Sequence, residues 1–164
     1  MLNVYTGKTT DKKNFLNDAL LRHIPASFEI LRTENGKPYI KDGDIFFNFS
    51  DSGGYCAAAV SDRPVGVDIE VFKKGVRRSV LSTFCEREQK EIRGETDFLT
   101  HWTAREAYIK YCGGTLAHML RRLSFTDGVL YCDGVPVSVQ PQFFIAENYV
   151  LSLCGEEQAN FIEL

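Results

Sequence analysis

The sequence predicts an α+β fold of two halves, each a helix followed by antiparallel strands. Three observations carry this. Apolar residues at helical spacing over 11–22 are followed by short β-rich runs up to residue 70. Helical spacing returns over 79–112 and is again followed by short strands, from 122 to 154. Finally, Phe46-Phe47 ahead of Tyr55-Cys56-Ala57 has a faint echo in Phe143-Phe144 ahead of Tyr149-Val150-Leu151. The halves are placed at 1–71 and 72–164, together one compact unit.

In chain order, Phe15, Leu16, Ala19 and Leu20 give a helix over Asp11 to Arg22 that Pro25 stops. Ser27 to Arg32 reads as a strand, and Glu34-Asn35-Gly36-Lys37-Pro38 is turn chemistry. Ile45 to Phe49 and Tyr55 to Val60 flank Ser50-Asp51-Ser52-Gly53-Gly54 as a hairpin, and Asp62-Arg63-Pro64 turns the chain into a strand over Val65 to Glu70. Lys73-Lys74-Gly75-Val76-Arg77-Arg78 is a basic connector. One helix follows over Ser79 to Ile92, and a second runs from Asp97 as N-cap to Cys112, where Gly113-Gly114 ends it. Strands are expected over Arg122 to Phe125, Val129 to Cys132, Val137 to Ile145 and Tyr149 to Cys154, separated by turn signals such as Asp127-Gly128 and Asp133-Gly134.

Within this frame the stretch Val65-Gly66-Val67-Asp68-Ile69-Glu70 carries chemistry. Strand periodicity puts the β-branched residues on one face and Gly66, Asp68 and Glu70 on the other. Carboxylates at i and i+2 are roughly 6–7 Å apart at Cβ, close enough to share one hard cation. The plain alternative is the solvated face of an edge strand. On the second helix Trp102, Glu106 and Lys110 share a face. Alone, Glu106 and Lys110 are an ordinary surface ion pair, and Trp102 is helix packing. Beside the strand acids, Glu106 would supply a third carboxylate for a metal, and Lys110 a cation for a phosphate leaving group.

Gly66-Val67-Asp68-Ile69-Glu70 with Trp102-Thr103-Ala104-Arg105-Glu106-Ala107-Tyr108-Ile109-Lys110 resembles the paired signature of the 4′-phosphopantetheinyl transferases, G-[IV]-D-x-E and W-[ST]-x-K-E-[SA]-x-x-K. Leu31-Arg32-Thr33-Glu34-Asn35-Gly36-Lys37-Pro38 resembles the R-T-x-x-G-K-P segment, and Phe47-Asn48-Phe49-Ser50-Asp51-Ser52-Gly53 resembles F-N-x-S-H-S-G. Four motifs in one order make a specific signal where each alone is weak. The resemblance is to the larger, monomeric, surfactin-type branch. It implies a pseudo-twofold pair of α+β halves with coenzyme A in the cleft between them.

The activity so implied is Mg²⁺-dependent transfer of 4′-phosphopantetheine from coenzyme A to a serine of an acyl or peptidyl carrier protein, releasing adenosine 3′,5′-bisphosphate. Asp68, Glu70 and Glu106 would hold Mg²⁺, Glu106 would take the serine proton, and Lys110 would meet the leaving phosphate. Arg32, Lys37, Asn48, Ser50 and Asp51, with Asp68 and Lys110, would lie against coenzyme A. An acidic carrier helix would meet Lys73, Lys74, Arg77 and Arg78.

Three departures stand beside the match. The N-terminal half is abridged, so the cations that grip the 3′-phosphate have no motif-matched counterpart among Lys8, Lys12, Lys13 and Arg22. Arg105 replaces a lysine. Asp51 replaces a histidine, and a carboxylate about 4 Å from a phosphate is repelled by about 4 kcal/mol at an effective dielectric of 20. Neutralisation by a basic side chain such as Arg32 or Lys37 is the expected answer; exposure to solvent or entry into the metal shell are the others. Two other functions suit the same residues: a metal-dependent phosphohydrolase, and a non-catalytic relative that binds carrier protein or coenzyme A.

Composition agrees with a small enzyme. A net charge of −3 argues against a nucleic-acid binder. No apolar run reaches membrane-spanning length and Met1-Leu2-Asn3-Val4 is no signal peptide, so a cytoplasmic protein without membrane or nucleic-acid partners is expected. Five isolated cysteines without a C-x-x-C pair indicate neither a zinc knuckle nor a disulfide framework.

Overall fold

The computed structural model describes residues 1–24, 27–73 and 78–164, with Arg78 described in its backbone only. Pro25 and the cations Lys74 and Arg77 fall outside the described residues, as does the side chain of Arg78. The elements are β1 (Leu2–Lys8), α1 (Lys12–Leu21), β2 (Ile30–Arg32), β3 (Pro38–Ile40), β4 (Phe46–Ser52), β5 (Tyr55–Ser61), β6 (Gly66–Val71), α2 (Arg78–Leu81), α3 (Glu86–Glu91), α4 (Glu95–Cys112), α5 (Leu116–Met119), a 3₁₀ turn (Leu120–Arg122), β7 (Leu123–Thr126), β8 (Val129–Cys132), β9 (Val135–Pro136), β10 (Gln142–Ile145), β11 (Tyr149–Cys154) and β12 (Ala159–Glu163). The chain is thus mixed α+β.

Alternation along the strands builds the layers. Cys56, Ala58 and Val60 of β5 face α1, where Phe15, Ala19 and Leu20 meet them. Ala57 and Ala59 face the other way, joining Leu2 and Val4 of β1 against Val67 and Ile69 of β6 and Leu151 and Leu153 of β11. A four-stranded sheet, β12-β1-β5-β4, therefore lies on a three-stranded one, β10-β11-β6. Helix α4 covers the far side of the second sheet, with Phe98 and Leu99 on Val150. Its other flank packs Ala104 and Ile109 on Leu123, Phe125 and Leu130 of the β7-β8-β9 sheet.

Two strands sit across the boundary drawn at residue 71. β6 pairs with β11, whereas β12 pairs in parallel with β1 and completes the first sheet. Neither β1 nor β12 was expected from the sequence. β1 is buried from Leu2 to Gly7 and so lacks the apolar–polar alternation that marks a half-exposed strand. The single helix expected over Ser79 to Ile92 is two short ones. Ser82 and Thr83 turn their hydroxyls onto the carbonyls of Ser79 and Val80, and α3 restarts at Cys85, whose backbone N–H donates to Glu88. The N-cap of α4 is Gly94 rather than Asp97, which lies in the first turn and accepts from the Arg93 backbone N–H. Gly113, at φ 67°, ends the helix as expected. No helix among the described residues is long and apolar enough to cross a membrane.

Gly66 fixes the distance between strand and helix. A Cβ there would stand 2.1 Å from the Ala107 carbonyl oxygen and 2.3 Å from the Tyr111 nitrogen, both backbone atoms that cannot swing aside. Gly66→Ala is therefore expected to push β6 off α4 and cost about 2–3 kcal/mol, the upper part of the range for overpacking. An unchanged urea midpoint would refute that close approach.

Candidate active site

Asp68 leaves β6 on the face turned to α4 and is 5% exposed. Its Oδ1 accepts from Lys110 Nζ at 2.7 Å and from Ser50 Oγ at 2.8 Å, and Lys110 also donates to Ser50 at 3.0 Å. Burial pushes the Asp68 carboxyl above the ordinary aspartate range, against the pull of Lys110 and Ser50. Its Oδ2 is buried and has no hydrogen-bond partner among the described residues. Two residues along the same face, Glu70 accepts from Ser52 Oγ at 3.0 Å, with Lys73 Nζ at 3.4 Å. Asp68 of the strand and Lys110 of the helix, 42 residues apart in the chain, thus meet here. Glu106 is half-buried on α4, one turn before Lys110.

A cleft of about 230 Å³ opens beside the Asp68–Lys110 pair, lined by Arg32, Lys37, Asn48, Phe49, Lys110 and Gly113. Asn48 Oδ1 accepts the backbone N–H of Val67 at 3.0 Å. Lys37 lies along the end of α4, donating to the Tyr111 carbonyl at 2.8 Å and the Val65 carbonyl at 3.4 Å, a favourable place for a cation at a helix C-terminus. Its burial lowers its pKa. Arg32 donates to the Gly36 carbonyl at 2.8 Å, and Asn35, expected only as a turn residue, donates to the Gly113 carbonyl at 3.0 Å. The β2–β3 turn is thereby tied to the end of α4.

Asp51 points the other way from Ser50, towards α1, where Lys12 Nζ lies 2.5 Å from it. Its neutralisation is as expected, but the cation is Lys12 rather than Arg32 or Lys37. The hydrogen bond to Asp51 raises the Lys12 pKa. Arg105 also differs from expectation. It is fully buried, ion-paired with the equally buried Glu88, and stacked with its guanidinium 4.0 Å from the Phe84 ring. Glu106, one residue on, lies about 100° around the helix.

Hard oxygen donors on Asp68, Glu70 and Glu106 suit Mg²⁺. Among the described residues, however, no three His, Cys, Asp or Glu side chains already stand as a closed cage. The expected convergence of the three acids is therefore not formed among the described residues, and Lys110 holds Asp68 Oδ1. Mg²⁺ is ordinarily bound through one or two carboxylates plus substrate phosphates and waters, so a closed cage is not required. The buried, unpartnered Oδ2 of Asp68 is the atom such an ion would satisfy. The residues fit the ion.

Residues 64–154 match the family model of the 4′-phosphopantetheinyl transferase superfamily. The chain is 31% identical over 145 residues to a 4′-phosphopantetheinyl transferase of Bacillus subtilis, covering 80% of this chain and 64% of that protein. It is 34% identical over 130 residues to the 4′-phosphopantetheinyl transferase psf-1 of Bacillus pumilus, covering 70% and 55%. With the 4′-phosphopantetheinyl transferase gsp of Aneurinibacillus migulanus it shares 30% over 137 residues, covering 76% and 56%. The chain thus spans between 55% and 64% of the length of these relatives.

Proposed function

The chain belongs to the 4′-phosphopantetheinyl transferase superfamily, and from that premise we propose that it transfers 4′-phosphopantetheine from coenzyme A to a serine of an acyl or peptidyl carrier protein. The observation that carries the proposal is the meeting of β6 and α4 at Asp68 and Lys110, where Lys110 lines a cleft and Asp68 Oδ2 is buried without a hydrogen-bond partner among the described residues.

Arg32, Lys37 and Asn48 line that cleft and would hold the nucleotide, the two cations against its phosphates. Asp68, Glu70 and Glu106 would hold Mg²⁺, which when bound offsets charge on the transferred phosphoryl group. Glu106 takes the proton of the carrier serine, whose oxygen forms the new bond to phosphorus as the pyrophosphate bond breaks. Lys110, one helical turn on, meets the charge that gathers on the departing adenosine 3′,5′-bisphosphate. The two α+β halves are proposed to be a pseudo-twofold pair with coenzyme A between them, and the enzyme a cytoplasmic monomer. A carrier's acidic helix would approach the basic stretch that begins at Lys73 beside Glu70.

Coenzyme A consumption distinguishes this from phosphate hydrolysis: turnover should require apo-carrier protein. Consumption at the same rate without carrier would mark a hydrolase.

Asp51 offers a second test. Asp51→His removes the partner of Lys12 and restores a hydrogen-bond donor, so coenzyme A should bind more tightly by about tenfold or more, in line with one charge-assisted hydrogen bond. The Mg²⁺ requirement should not change. Weaker binding together with a raised Mg²⁺ requirement, by calorimetry at several Mg²⁺ concentrations, would place Asp51 in the metal shell instead.

A further inference from the structure

Strands β4 and β6 lie in different sheets and are joined through side chains. Asn48, Ser50 and Ser52 alternate along β4, and each accepts a backbone N–H from β6: Val67 at 3.0 Å, Ile69 at 3.4 Å and Val71 at 3.3 Å. A hydroxyl has one proton to give. With an acceptor site of each serine taken by a backbone N–H, that proton goes to a carboxylate: Ser50 to Asp68 at 2.8 Å and Ser52 to Glu70 at 3.0 Å. Ser50 is further occupied by Lys110 at 3.0 Å, so its one donation is spent on Asp68.

We propose that Ser50 and Ser52 are positioning residues, which act by orienting the carboxylates of Asp68 and Glu70 towards the cation rather than by holding the nucleotide. The inference rests on the transferase reading above. The ladder supplies the physical reason. A serine is short enough to take the N–H of one β6 residue and reach the carboxylate of the residue before it, whereas alanine can do neither. The carboxylates are thus aimed by a neighbouring strand before any ion arrives, and removal of such outer hydrogen bonds typically weakens metal affinity by 10–100-fold.

Ser52 gives the cleaner test because Ser50 also touches Lys110. Mn²⁺ binding in the presence of coenzyme A, read as the loss of the free-ion signal in electron paramagnetic resonance, should weaken about tenfold or more in Ser52→Ala. Ser52→Thr keeps the hydroxyl and should restore affinity to within about threefold, and Ser52→Cys keeps the volume with a weak donor and should behave like Ser52→Ala. In a Glu70→Gln background Ser52→Ala should add less than about twofold, since the serine then has no carboxylate to aim. Unchanged affinity in Ser52→Ala or Ser52→Cys, or an equal loss in the Glu70→Gln background, would overturn the inference while wild-type binding left the transferase reading intact. Absence of Mn²⁺ binding to the wild-type protein would overturn the metal reading and this inference with it.

Discussion

Glu106→Gln is expected to lower phosphopantetheinyl transfer by at least about two orders of magnitude, within the range for loss of a general base. The change keeps the side chain's size and hydrogen-bonding reach while removing its charge, so α4 should fold unaltered. Glutamine neither accepts the serine proton nor adds its charge to those of Asp68 and Glu70. The KM for coenzyme A should change much less than kcat, because the cations lining the cleft, Arg32, Lys37 and Lys110, remain. Near-normal turnover of the purified variant at saturating Mg²⁺ would remove Glu106 from the chemistry.

Glu88→Gln is expected to destabilise the protein by about 3–5 kcal/mol, the range for breaking a buried pair from one side. Glu88 is wholly enclosed. Its Oε1 accepts from the Phe125 backbone at 2.8 Å, its Oε2 from the Cys85 backbone at 3.0 Å, and the buried Arg105 pairs with it from α4. The variant leaves the Arg105 charge in the core without its counter-ion. Glu88→Gln combined with Arg105→Met should recover part of the loss, since it removes the buried charge left without a counter-ion. The same pair makes the protein acid-sensitive. Burial alone would raise the Glu88 pKa, but the His101 ring 3.6 Å away, the Arg105 charge and the two backbone donors outweigh it and hold the carboxyl below the glutamate value of 4.5. A lowered carboxylate pKa contributes stability that is complete above the unfolded value and lost as pH falls through the folded one. Wild-type unfolding free energy should therefore fall below about pH 4.5, with a shallower fall in Glu88→Gln. Urea unfolding of both proteins from pH 7 to pH 3 checks this; parallel curves would contradict it.

The site was legible where local periodicity decides which way a side chain points. Alternation in Gly66-Val67-Asp68-Ile69-Glu70 put Asp68 and Glu70 on one face, and the helical repeat put Lys110 one turn beyond Glu106. The turn chemistry at Gly113 and the hairpin at Gly53-Gly54 were legible for the same reason, since positive φ is a local demand. Partners far along the chain were not. Lys12 meets Asp51 because α1 packs across β4, and nothing in Lys12-Lys13 marks one lysine over the other. Arg105 resembles a site cation by its place beside Glu106, yet one residue on a helix is a change of face, and that face belongs to Glu88. Ser52 was the missed signal that could have been found. Asn48, Ser50 and Ser52 stand at strand spacing in the motif itself, so the polar face that reaches β6 is written there. β1 and β12 were silent because their pairing joins opposite ends of the chain.

The intact mass of an apo-carrier protein after incubation with this protein, coenzyme A and Mg²⁺ tests the central claim most directly. A transferase adds one phosphopantetheine to the carrier, lost when its serine is replaced by alanine, with one adenosine 3′,5′-bisphosphate released per carrier modified. Carrier proteins from fatty-acid, polyketide and peptide synthesis that all keep their apo mass, with coenzyme A intact or hydrolysed, would contradict it.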